Sequence, residues 1–235
     1  MVAPGFAIWD HDPALVDWAR AAYRKVKSLD TTARRHRATW FVGVDALDNA
    51  PDGSVGDVVW PHRAMAPHWH CAQVSIVYPG YPRQDADESD AAHAFRKRRD
   101  AAHVDGLLPV GSQRRRYLRE PHAFILGVPL NRVTASPLVV WEGSHLIMRA
   151  AFNDALAGVP SAAWGDVDLT DVYQSARRRV FDTCARIELS VTVGQATFLH
   201  RHLVHGVAPW RGPETEEGRI IAYFRPEVSD IGAWL

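Results

Sequence analysis

The chain has 235 residues, 47% hydrophobic and 23% charged, which excludes a disordered chain, a collagen-like chain and a small disulfide scaffold. Lysine plus arginine and aspartate plus glutamate each number 27, so the formal net charge is zero. A neutral chain lacks the basic excess of a general nucleic-acid or membrane-surface binder, and no apolar run approaches the roughly 20 residues of a spanning helix.

The N-terminal stretch Met1-Val-Ala-Pro-Gly-Phe6 has no basic segment leading into an apolar one, so no signal peptide is expected. Asp12-Pro13 reads as an N-cap and first helical residue, and Leu15, Trp18, Ala22 and Val26 fall on one face, predicting a helix that ends near Lys27. The apolar run 74–78 predicts a strand. The charged segment 87–102 has little apolar face and reads as a helix or a solvated loop. Runs at 124–128 and 138–141 predict further strands. Val172, Ala176 and Val180 predict a helix over 171–184. Ile187, Leu189, Val191 and Val193 alternate with polar residues, the period of a half-buried strand, and 197–199 and 220–224 are two more apolar runs. Proline and glycine punctuate these segments, with no repeat, low-complexity tract or linker. Cys71 and Cys184 fit a reducing compartment, and the cytoplasm is the expected location. The expectation is one domain over 1–235, mostly β with flanking helices (α+β) and an N-terminal helical segment. Many short strands favour a closed sandwich or barrel over a parallel sheet.

Twelve histidines carry the chemistry. His103-Val104-Asp105 is the first pattern; composition alone predicts about one such pair by chance. In an extended segment residues i and i+2 point the same way, so this imidazole and carboxylate can reach one metal ion. A second imidazole would complete the two-His, one-carboxylate face that suits Fe(II) and leaves positions open. His200, His202 and His205 compete for that place, and His205 stands before Gly206, where a backbone can turn sharply. Fourteen residues on, Arg219 opens the run Arg219-Ile-Ile-Ala-Tyr-Phe-Arg225. An inward-facing arginine there suits bidentate capture of a carboxylate; a surface arginine at a strand start is the plainer reading.

The string Pro137-Leu-Val-Val-Trp-Glu-Gly-Ser-His145 resembles the Gly-Pro-Leu-x-Val-x-Pro-Gly-Ser-His segment of phytanoyl-CoA dioxygenase-like proteins, which are Fe(II)/2-oxoglutarate-dependent oxygenases. In that family a His-x-Asp precedes the segment, and a His-Gly and then an arginine follow it. This chain has His103-x-Asp105, Gly143-Ser144-His145, His205-Gly206 and Arg219 in that order, and Gln73-x4-Tyr78-Pro79-Gly80 resembles the strand ahead of the metal motif. The resemblance spans about residues 70–225. There are departures: Glu142 replaces a proline, Ala135-Ser136 replaces an Asn-Gly turn, Asn131 or Arg132 stands near an acidic position, and 211–218 lengthens the gap to the arginine.

The resemblance implies a double-stranded β-helix (a jelly roll, or cupin-like barrel) with a metal in its mouth. It implies His103, Asp105 and His205 as iron ligands, Arg219 on the distal carboxylate of 2-oxoglutarate and Gln73 hydrogen-bonded to that co-substrate. O2 would take the remaining position, and a C–H bond of a small organic substrate would be hydroxylated as 2-oxoglutarate is decarboxylated to succinate. Family halogenases carry a small residue where Asp105 stands, so the carboxylate favours hydroxylation.

Other patterns compete. Pro67-His68-Trp69-His70 resembles the His-x-His of a cupin that does not use 2-oxoglutarate, but Gln73 stands near the place of the expected glutamate and the second cupin signature is missing. Gln113-Arg114-Arg115-Arg116-Tyr117 is a candidate anion-binding loop, or simply a solvated one. His145 reads as structural, near a turn. A non-catalytic β-sandwich binding module is the alternative from a different functional class.

Overall fold

The computed structural model describes residues 4–235; Met1–3, the start of the stretch read above as carrying no signal peptide, lie outside the described residues. The strands are β1 (Phe6–Trp9), β2 (Arg34–Arg35), β3 (Trp40–Leu47), β4 (Ala72–Val77), β5 (Leu107–Val110), β6 (Arg115–Leu118), β7 (Phe124–Pro129), β8 (Leu138–Trp141), β9 (Arg186–Leu189), β10 (Ala196–His200), β11 (His205–Val207) and β12 (Arg219–Phe224). The α-helices are α1 (Pro13–Val26), α2 (Asp90–Arg98), α3 (Ser144–Leu156) and α4 (Thr170–Thr183).

A seven-stranded sheet runs β1-β10-β7-β12-β4-β3-β2, and a smaller one runs β11-β8-β9. His103 bridges antiparallel onto His205, so the segment around it extends the small sheet beyond β11. From β4 onward the chain visits the large sheet, the small sheet at His103, the large at β7, the small at β8 and β9, the large at β10, the small at β11 and the large at β12. That alternation of antiparallel strands between two facing sheets is the double-stranded β-helix, or jelly roll, that the sequence led us to expect.

Period-two alternation sorts the strand residues into layers. On β12, Ile220, Ala222 and Phe224 face outward and pack with Leu15, Trp18 and Ala22 of α1 and with Trp60 and Trp69. Ile221 and Tyr223 face inward, against Leu138 and Val140 of β8 and Leu189 of β9. Val139 and Trp141 of β8 point away from the barrel and are covered by Met148 and Phe152 of α3 and Tyr173 and Val180 of α4. The order of layers is therefore α1, large sheet, barrel interior, small sheet, α3 with α4.

The N-terminal helix is built as its sequence suggests: the Asp12 carboxylate accepts from Ala14 N–H at 2.8 Å, Pro13 opens the helix, and Arg24 and Lys25 sit at its negative end. Trp18 anchors it, fully buried with its indole N–H donated to Gly53 O at 2.8 Å. Burying one such side chain removes roughly 150–250 Å² from water, worth about 4–6 kcal/mol before the entropy of ordering is charged against it.

Several elements differ from expectation. The segment 144–156 is a helix, with Met148, Phe152 and Leu156 buried on one side, where only a turn near His145 was read. The strand from Ile187 stops at Leu189, short of Val191 and Val193. Within the charged segment 87–102 only Asp90–Arg98 is helical, started by Ser89, whose hydroxyl accepts from Ala92 N–H at 3.2 Å. Strands β1, β2, β3, β5, β6 and β11 were not foreseen. Cys71 and Cys184 are both free and half-buried. No helix among the described residues is long and apolar enough to cross a membrane.

Candidate metal centre

Backbone pairing assembles the centre. His103 N–H donates to His205 O at 2.9 Å and His205 N–H donates to His103 O at 3.0 Å, so the two histidines are a hydrogen-bonded antiparallel pair, directly opposite each other. Their ring centroids lie 4.7 Å apart. Asp105, two residues beyond His103, turns its side chain to the same face. Among the described residues, His103, Asp105 and His205 are the one set of three His, Cys, Asp or Glu side chains whose donor atoms all lie within 4.8 Å of one another.

Gly206 explains how the two segments come so close. Its φ is not positive, so the sharp turn expected there does not occur; it lies inside β11. A Cβ at this position would sit 2.1 Å from Asp100 O and 3.2 Å from Ala102 Cα. The missing side chain lets the His103 segment lie against β11.

Each imidazole is oriented by the same device. His103 Nδ1 is 3.0 Å from Ala101 O, and His205 Nδ1 is 2.9 Å from Leu203 O. A carbonyl can only accept, so Nδ1 carries the proton in both rings and each Nε2 keeps a free lone pair. Those lone pairs converge on Asp105: His103 Nε2 is 2.9 Å from Oδ1 and His205 Nε2 is 3.7 Å from Oδ2. Two donors each about 2.1 Å from one ion stand about 3.0 Å apart at right angles and about 4.2 Å apart when opposed. The 3.7 Å separation falls inside that interval and the 2.9 Å one stands at its lower edge, and the donor set suits Fe(II) among other divalent ions, so the residues fit a metal.

Arg225 is the functional neighbour that the sequence reading missed. Its Nε–H donates to Asp105 Oδ2 at 2.6 Å and its Nη1–H donates to Gln73 Oε1 at 2.8 Å. Burial opposes ionisation of Asp105, but the Arg225 guanidinium outweighs it and holds the carboxyl well below the usual carboxylate range. The signal for Arg225 was present: Arg219, Ile221, Tyr223 and Arg225 share one face of a strand by period two.

Arg219 is 5% exposed and pairs with Val77 of β4 at the far end of β12, about 20 Å of strand from Arg225. Its register places it on the barrel-facing side with Ile221 and Tyr223, not on the surface. Among the described residues no carboxylate pairs with its guanidinium. Asn131 fixes the backbone on both sides of it, donating Nδ2–H to Gly218 O at 2.8 Å and accepting Ile220 N–H on Oδ1 at 3.2 Å. Gln73 stands opposite Tyr223 on β4. Gly127, also opposite Tyr223 on β7, leaves room for the ring, whose Cε1 would lie 2.8 Å from an added Cβ.

The remaining sequence candidates stand elsewhere. His70 lies beside the centre, but both ring nitrogens are committed: Nδ1–H to Cys71 O at 2.7 Å, and Nε2 accepting Arg225 N–H at 2.8 Å. His68 is exposed and Trp69 is core, so the cupin-like string builds no metal centre. His200 and His202 point away from the triad; His202 is fully buried against Phe152 and Trp234. Arg115 pairs with Asp168 and Asp171, and Arg116 donates to Leu107 O at 2.9 Å and lies over the Tyr173 ring. That pair is tied to α4 and its approach rather than free to take an anion.

No protein-family model and no curated protein sequence matches the chain. Solved structures do. The non-heme alpha ketoglutarate dependent carbocyclase SnoK from nogalamycin biosynthesis is 14% identical, with 96% of this chain and 84% of that chain covered and a TM-score of 0.47. The epimerase SnoN in complex with Fe3+, alpha ketoglutarate and nogalamycin RO is 14% identical over 95% and 79%, with a TM-score of 0.48. EctD from S. alaskensis with bound Fe is 15% identical over 95% and 73%, also at 0.48. Likeness of this degree adds nothing to the strand order, on which the fold rests: the chain is a double-stranded β-helix with a His103, Asp105, His205 cluster between its sheets.

Proposed function

We propose that this chain is an Fe(II)/2-oxoglutarate-dependent oxygenase that hydroxylates a C–H bond of a small organic substrate. The observation that carries the reading is the convergence of His103 Nε2, Asp105 and His205 Nε2, with the buried Arg219, which no carboxylate among the described residues pairs with, on the barrel-facing side of the neighbouring sheet. His103, Asp105 and His205 would hold the iron. Fe(II) with 2-oxoglutarate supplies activation of O2 coupled to loss of CO2 and formation of succinate. Arg219 would bind the distal carboxylate of 2-oxoglutarate, because a buried guanidinium without a protein anion is a ready partner for one. Gln73 accepts from Arg225 through its oxygen and would offer its amide N–H to the co-substrate. Arg225 orients Asp105. The inner walls of Ile221, Tyr223, Leu138 and Val140 keep the interior apolar and exclude water.

Succinate formation from 2-oxoglutarate in the presence of Fe(II), O2 and ascorbate tests the reading even without the prime substrate. Turnover that disappears in both His205→Ala and Asp105→Ala supports it; turnover that survives either substitution rejects it. Once a substrate is found, product mass separates the outcomes: hydroxylation adds one oxygen, ring closure removes two hydrogens, and epimerisation leaves the mass unchanged.

A further inference from the structure

We propose that His70 and His122 are positioning residues of the metal centre: one takes the backbone N–H of Arg225, the other its carbonyl, and through Arg225 the pair fixes the Asp105 carboxylate. Their role rests on the reading of His103, Asp105 and His205 as metal ligands. It also gives a use to His70, the histidine of the cupin-like string that holds no metal itself.

Arg225 stands just past the end of β12. The ladder with β4 closes at the Tyr223–Gln73 pair, and the ladder with β7 closes at the Phe224–Leu126 pair. Pro226 follows, with no N–H to continue either ladder, and its ring keeps the residue before it extended. The backbone groups of Arg225 must then find partners outside the sheet. Two side chains from distant parts of the chain supply them. Arg225 N–H donates to His70 Nε2 at 2.8 Å, and Arg225 O accepts from His122 Nδ1 at 3.1 Å.

Each ring has its proton where the task requires it. His70 Nδ1 is 2.7 Å from Cys71 O, an atom that only accepts, so Nδ1 carries the proton and Nε2 offers a lone pair. His122 Nδ1 faces the Arg225 carbonyl and carries a proton for the same reason. One imidazole is the acceptor of the clamp and the other is the donor.

Both rings are themselves held. Asn49 Nδ2–H donates to His70 O at 3.1 Å, and the His70 ring stands edge-on to Phe224 with centroids 6.2 Å apart. His122 is buried; its N–H donates to Glu120 O at 2.8 Å, and Glu120 N–H donates to Gly106 O at 3.2 Å. Gly106 directly follows Asp105. The contacts therefore close a ring, from Asp105 to Arg225, on to His122 and Glu120, and back to the residue after Asp105. A guanidinium whose own backbone is gripped on both sides has a fixed base from which to reach Asp105 and Gln73. That is the outer support by which a metal-ligating carboxylate is aimed.

Co(II) titration of the metal-free full chain, followed by visible d–d absorption, tests the proposal. His70→Leu and His122→Leu should each weaken Co(II) binding about 10-fold, the lower end of the range for partners outside the ligand set. A glutamine amide ends near the place of Nε2 and an asparagine amide near that of Nδ1. His70→Gln therefore keeps an acceptor and His122→Asn keeps a donor, and both should recover most of the lost affinity. In an Arg225→Leu background the two leucine substitutions should cost nothing further, because their effect passes through the guanidinium. Circular dichroism checks folding; if His122→Leu is unfolded, the series at the half-buried His70 decides alone. Unchanged affinity in His70→Leu overturns the clamp. So do equal losses in the leucine and amide variants, or equal losses with and without the Arg225 guanidinium. Co(II) held by wild type and released by His205→Ala establishes the triad separately, so failure of the clamp leaves the triad standing. Wild type that binds no Co(II), or Co(II) that stays in His205→Ala, overturns both.

Discussion

Arg225 Nε–H donates to Asp105 Oδ2 at 2.6 Å while Asp105 Oδ1 faces His103 Nε2 at 2.9 Å. The carboxylate is thereby divided between a fixed guanidinium and the imidazoles. Removing the guanidinium leaves a buried carboxylate without its main counter-charge and free to rotate. Arg225→Leu should weaken Fe(II) binding by about 10–100-fold, the range for an outer partner of a metal ligand. Arg225→Lys should recover only part of this, because an ammonium cannot reach Asp105 and Gln73 in one plane. Metal titration of the three proteins checks this, and an unchanged affinity in Arg225→Leu contradicts the role.

Gly206 makes a second prediction. A methyl group there meets Asp100 O at 2.1 Å, and that atom is backbone, so the strands must part. Gly206→Ala should cost about 1–3 kcal/mol of stability in urea unfolding. It should also lower metal affinity, since the His103–His205 pairing is what brings the ligands together. A stable variant with full affinity would show that the close approach is not needed.

Arg219 and Asn131 should separate in 2-oxoglutarate binding. Truncating Arg219 to alanine removes the cation itself, and losing a buried charged partner costs about 2–5 kcal/mol, at least about 30-fold in affinity. Asn131→Ala leaves the cation and removes only the clamp on Gly218 and Ile220. Its loss should be smaller, with metal affinity unchanged in both variants. Calorimetry on the Fe(II)-loaded proteins reads the difference, and equal affinities for wild type and Arg219→Ala would remove Arg219 from the site.

The half-buried His200 and the fully buried His202 predict acid sensitivity. Burial pushes His200 down to about 4, from an ordinary 6.5, and pushes His202 well below that ordinary value. Both are therefore neutral in the fold and take up protons more readily when unfolded. Their stabilisation is complete above pH 6.5 and is lost as pH falls from 6.5 toward about 4. The melting temperature should drop across that window, and His202→Phe should flatten the drop. A melting temperature unchanged over that range contradicts the assignment.

The legible parts of the sequence were those governed by short-range periodicity. The α1 cap and apolar face and the apolar runs of β8 and β12 follow from local patterns. The His-x-Asp and His-Gly pairs carried enough order along the chain to name the triad residues. Helix α3 was hidden because its first two residues, Ser144 and His145, were read within a motif rather than by helical spacing. Strand β3 was hidden by Gly43 and the left-handed Asp45, which shift its register. Arg225 was overlooked because the motif ended at Arg219, although period two places both on one face.

The central claim is that one ion binds at His103, Asp105 and His205 and that 2-oxoglutarate joins it with its far end on Arg219. The most direct test is anaerobic titration of the metal-free protein with Fe(II) and then 2-oxoglutarate, following the visible metal-to-ligand charge-transfer band. A band is expected in wild type, none in His205→Ala, and one in Arg219→Ala only at far higher 2-oxoglutarate. No band in wild type, or a band that persists in His205→Ala, would contradict it.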